Sequence, residues 1–159
     1  MDLFKKGGVM KKRIHAISGG MACLTIFVFW VSTLFSELFF SIEAVVTVKQ
    51  WIVRPGLFIL VPSIAITGGT GFQLSKKRSG RLVENKKKRM PVIAANGFFI
   101  LIPSAILLHR WAAAGSFDFN FYILQSIELI AGATNLIMMG RNMRDGLRMS
   151  GGRSKRLIR

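Results

Sequence analysis

Four long apolar runs separated by short blocks rich in lysine and arginine leave this chain few ways to fold. A helix needs roughly 20 apolar residues to cross a hydrocarbon core, and the segments 14–35, 54–74, 92–111 and 119–139 provide them. The first run follows Lys5, Lys6, Lys11, Lys12 and Arg13, but it is too long for a secretory h-region and no small-residue cleavage site follows it. It reads as an uncleaved first span. The expected fold class is therefore all-α, an integral membrane four-helix bundle. Residues 1–13 form a basic N-terminal segment, 14–140 the transmembrane domain, and 141–159 a basic tail.

Charge sets the expected orientation. Of the 23 Lys and Arg residues, 20 fall in the two terminal segments and the second loop, against 3 in the first and third loops. Cations in short loops stay on the cytoplasmic side, so both termini are predicted to be cytoplasmic, with the bacterial inner (plasma) membrane as the expected location. Trp30, Trp51, Trp111 and Tyr122 would then mark the outer interface. In the first loop, Ile42, Val45, Val46, Ile52 and Val53 recur at helical spacing. This predicts either a short amphipathic helix on the outer surface or a helical extension of the neighbouring spans. The second loop, 75–90, reads as a solvated charge run, with Pro91 in the first turn of the third helix. Three glycines, Gly146, Gly151 and Gly152, imply a tail that is loose beyond its first turns.

A chain that is 51% hydrophobic with a net charge of +16 suits a membrane protein better than a soluble nucleic-acid binder. Lys76, Lys77, Arg78, Lys86, Lys87, Lys88 and Arg89 are expected to meet anionic lipid head groups, at about 1 kcal/mol each, and no nucleic-acid partner is expected. Cys23 is the single cysteine, which excludes an intrachain disulfide and a cysteine metal cage.

Candidate functional residues lie inside the spans. Residues 56–63 (GLFILVPS) repeat almost unchanged at 97–104 (GFFILIPS), which places Pro62 and Pro103 at matching depths in antiparallel helices. Each proline removes a helical donor and frees the carbonyl four residues earlier, on Phe58 and Phe99, and Ser63 and Ser104 are candidate partners for these. Glu128 is the only acid within the four runs as delimited above, and an intramembrane acid is costly enough to suggest a functional site. Gln125 and Asn135 share its helical stripe. Arg54 and Arg110 are the nearest cations on this reading.

Glycines at a second level (Gly19, Gly20, Gly68, Gly69, Gly97 and Gly132) suit close helix packing or a flat ligand. His15 and His109 close opposite ends of their spans, too far apart to share one haem. His15, alone or with Met138 or Met139, remains a candidate axial ligand for haem b. There is no catalytic constellation, and the loops are too short for a catalytic domain. The expected function is a non-enzymatic accessory, binding or transport component with a polar site around Glu128, working as a homo- or hetero-oligomer. The alternative is a haem-binding redox protein.

Overall fold

The computed structural model describes the backbone of residues 2–76 and 80–154, and side chains over 9–76 and 80–149. Six α-helices account for nearly all of it: α1 (Asp2–Phe39), α2 (Ile42–Trp51), α3 (Leu57–Lys76), α4 (Arg81–Asn96), α5 (Ile102–Ala113) and α6 (Phe119–Ser154). No strand occurs among the described residues. π-Helical turns at Ile52–Gly56 and Gly97–Leu101 join α2 to α3 and α4 to α5, making four long rods. All four are long and apolar enough to cross a membrane. Only 17 to 28% of each rod's most apolar window is buried, so most apolar side chains, Phe58, Phe99 and Phe119 among them, point away from the bundle. An exposed apolar surface of this extent suits a lipid surrounding.

The rods outrun the apolar segments from which they were inferred. α1 continues past residue 35 to Phe39. The first loop is a helical extension of the second rod, since α2 runs directly into the π turn and α3. Pro91 does not open the third helix. α4 begins ten residues earlier at Arg81, and Pro91 lies inside it. The tail continues α6 as far as Ser154 despite its glycines. A glycine in a helix interior costs only about 1 kcal/mol, and Arg89 of α4 offsets part of this by holding the tail. Its Nη1 donates to Asp145 Oδ2 at 2.7 Å and to Asn142 Oδ1 at 3.2 Å.

Local chemistry sets the sharp reversal between α5 and α6. Gly115 takes φ 71°, and the Gly115 and Ser116 amides return to the Ala112 and Trp111 carbonyls at 3.0 and 2.9 Å. This is a Schellman ending, which needs a left-handed residue at that point. Asp118 then caps α6, its Oδ1 accepting from the Phe121 amide at 3.0 Å.

Two apolar clusters hold the rods together. Ala22, Ile26, Leu60 and Met139 form one, and Val45, Leu108, Ala112 and Phe121 form the other, nearer the α5–α6 reversal. Buried polar contacts add to them. Asn135 is 1% exposed; its Oδ1 accepts from Asn96 Nδ2 at 2.9 Å and its Nδ2 donates to the Ile93 carbonyl at 3.3 Å. Asn135→Ala should therefore cost about 1–2 kcal/mol, since membrane helices gain roughly this from such bonds. A lowered thermal midpoint in a fixed detergent checks this, and an unchanged midpoint would contradict it.

Candidate functional site

Along α2 and the π turn that follows it, the residues Val45, Lys49, Ile52 and Gly56 follow at three- and four-residue intervals and are all buried. This stripe turns inward, and it carries a lysine. Lys49, whose side chain is 0% exposed, donates from Nζ to Glu128 Oε2 at 2.9 Å. The same oxygen accepts from Gln125 Nε2 at 3.2 Å. The cation beside Glu128 is thus Lys49, rather than Arg54 or Arg110, both of which are exposed. Two charges taken out of water lose several kcal/mol of hydration each, and close pairing with further hydrogen bonds offsets this.

A second acid joins them. Glu37, in the last turn of α1, lies within electrostatic range of both Lys49 and Glu128. Ending the first run at residue 35 had left Glu37 outside the span. Glu37 Oε1 and Gln125 Oε1 are both buried and have no hydrogen-bond partner. Gln125 as a whole is only 4% exposed.

A cavity of about 50 Å³ at the centre of the bundle is bounded by all four rods, enough for one or a few waters. Its walls are mainly apolar, and its polar points include Thr33, Glu128 and Asn135. Trp30 also lines it, donating from Nε1 to the Leu129 carbonyl at 2.9 Å. Trp30 is therefore an interior ring, whereas Trp51 and Tyr122 are exposed. Gly132 gives Trp30 its room, because a Cβ there would sit 3.1 Å from Trp30 Cδ1.

The other candidates lie apart from this centre. The Ser63 hydroxyl donates to the Ile59 carbonyl at 2.7 Å, not to that of Phe58, and Ser63 does not line the cavity. Ser104 is buried on α5, also outside the cavity lining. Pro62 and Pro103 are exposed. The departures from α-helical hydrogen bonding fall around Pro55 and just before Pro103, where the Leu57 and Ile102 amides reach five residues back to Ile52 and Gly97. Pro62 itself sits within α3.

His15 packs against the end of α3. Its Nδ1 lies 3.1 Å from the Thr67 carbonyl and 3.2 Å from Thr70 Oγ1. A carbonyl only accepts, so this nitrogen carries the proton. The methionine sharing its surroundings is Met90: a Cβ on Gly71 would meet Met90 Cε at 2.9 Å and His15 Cε1 at 3.0 Å. Met139 belongs to the apolar core instead, and His15 does not line the central cavity. Of the small residues, Gly19 faces Thr67, while Gly20, Gly68 and Gly69 have open space beside them.

The basic residues at the α3–α4 end have varied surroundings. Lys76 lies over the Phe72 ring at 4.7 Å, Lys87 pairs with Glu84 at 3.1 Å, and Arg89 is taken up by Asp145. Lys86 passes near Gly146, and Lys88 is exposed. Lys77 and Arg78 lie outside the described residues.

Comparison with known protein families, with curated proteins and with solved structures finds no match. The functional reading rests on this geometry alone.

Proposed function

We propose that this protein is a small polytopic membrane component that binds or passes a polar ligand, with its site at Glu128, Lys49 and Gln125 beside the central cavity. The observation that carries this reading is the fully buried Lys49 paired with Glu128 at 2.9 Å, close to buried oxygens that lack donors. Replacing a buried ion pair by apolar residues is often neutral or stabilising, so stability alone is a weak reason for such a cluster inside an apolar bundle. Four helices enclose little space, and the protein works in an oligomer or with partner chains.

Glu128→Gln keeps shape and hydrogen bonding but removes the charge. In the native host, under any condition that impairs a deletion strain, the Gln variant is expected to accumulate normally and fail to replace the wild type. Full replacement by both Glu128→Gln and Glu128→Leu would overturn the site.

The cationic bias of the terminal segments and second loop supports cytoplasmic termini in a bacterial inner membrane, with the basic loop on anionic lipid. Single cysteines at Lys88 and Ser116 in a Cys23→Ser background test this. An impermeant thiol reagent applied to intact cells should label only position 116, and labelling at position 88 would reverse the topology. The haem alternative is less well supported, because His15 lies away from the cavity. A stoichiometric Soret band that disappears in His15→Ala would replace the present reading.

A further inference from the structure

We infer that Glu128, its partners Lys49 and Gln125, and the nearby Glu37 form a binding site for one monovalent cation, a proton or an alkali-metal ion such as sodium. This deepens the site proposed above and rests on it. The charge count comes first: α1 supplies one carboxylate and α6 another, while α2 supplies a single ammonium. Two ionised acids against one lysine leave one negative charge at a site where Glu37 is half-buried, a state that one more positive charge would stabilise.

The hydrogen-bond inventory points the same way independently. Of the three buried side-chain atoms without partners among the described residues, two belong to this cluster, Glu37 Oε1 and the Oε1 of the almost fully buried Gln125, and both are acceptors. An unsatisfied buried acceptor costs about 1–3 kcal/mol. A cation, or a proton on a carboxylate, supplies what such oxygens lack, whereas an anion supplies nothing. A divalent ion would overcompensate the single charge. Of the other titratable groups at this end of α2, α5 and α6, Glu43, Arg54, Arg110, Asp118 and Tyr122 are exposed. His109 of α5 is half-buried and makes no hydrogen bond to Glu37, Glu128 or Gln125.

The test uses the full chain in liposomes, first in sodium-free choline buffer. Infrared difference spectra across a pH titration should show a protonated-carboxyl band that is lost in Glu37→Gln. If sodium is the occupant, exchanging choline for sodium removes the band at constant pH and raises the thermal midpoint. If the occupant is the proton alone, sodium changes neither. Gln125→Leu keeps every charge and serves where Glu37→Gln misfolds. It should move the band's midpoint by about one pH unit, or raise the sodium midpoint about tenfold. No titrating carboxyl band together with no sodium effect overturns the cation site. So does a band that persists in Glu37→Gln, or a midpoint unmoved in Gln125→Leu. The Glu128→Gln replacement experiment is independent of these readouts, so a site serving another ligand would still register there.

Discussion

Glu128→Leu is expected to destabilise the protein by about 3–5 kcal/mol, because it leaves the Lys49 ammonium buried with neither a charge nor a hydrogen-bond acceptor at position 128, whereas Glu128→Gln keeps the acceptor. The Lys49 side chain is 0% exposed, so its ammonium depends on Glu128 rather than on bulk solvent. Lys49→Met should be damaging for the converse reason, with the Glu128 carboxylate left without its cation and with Glu37 still in electrostatic range. The double variant Lys49→Met/Glu128→Leu removes both charges and should recover most of the loss, as apolar replacement of a whole buried pair often does. Unfolding of the three variants in one detergent forms a complete cycle. Additive losses would mean that the two side chains do not interact, and the site would lose its geometric basis.

Gly56→Ala is the second large effect. The methyl group would overlap the Phe29 ring, with Phe29 Cε1 at 2.7 Å and the Trp51 carbonyl oxygen at 3.1 Å. Alanine ordinarily favours a helix by about 1 kcal/mol over glycine. Here overpacking, at about 1–3 kcal/mol or more, exceeds that gain, because the π turn brings the α2–α3 rod directly against α1. A midpoint below wild type is the expected result. Gly68→Ala is the control: its Cβ meets nothing within 4 Å, so the propensity gain should appear there uncompensated.

Apolar length made the four rods legible, and it does so because lipid tolerates few other arrangements of backbone. The same criterion set their ends too early. Glu37, Lys49 and Arg89 all lie where polar residues interrupt the apolar runs, yet helices continue through each of them. Lys49 falls outside the apolar stripe of Ile42, Val45, Val46, Ile52 and Val53 that predicts a helix in the first loop. Its inward position follows from the spacing of Val45, Lys49, Ile52 and Gly56, a signal visible in the sequence but outweighed there by the charge itself. Gln125 and Glu128 were legible as neighbours because they lie one turn apart on one helix, and their contact is the 3.2 Å bond. Pairings between rods, such as Trp30 with Leu129 or Arg89 with Asp145, depend on the rotation of each helix about its axis, which spacing within a single helix does not specify.

Whether water reaches the Glu128 cavity tests the central claim most directly. Thr33 lines that cavity with Glu128 and is 2% exposed, and cysteine is close to threonine in size. Thr33→Cys in a Cys23→Ser background, reconstituted in liposomes, would be treated with 2-aminoethyl methanethiosulfonate and read by mass. Ile137→Cys, on the exposed apolar surface, serves as the lipid-facing control. A ligand site predicts modification of Cys at position 33 in the folded protein while position 137 stays unmodified. Modification at position 33 only after denaturation would show a closed interior and contradict the account.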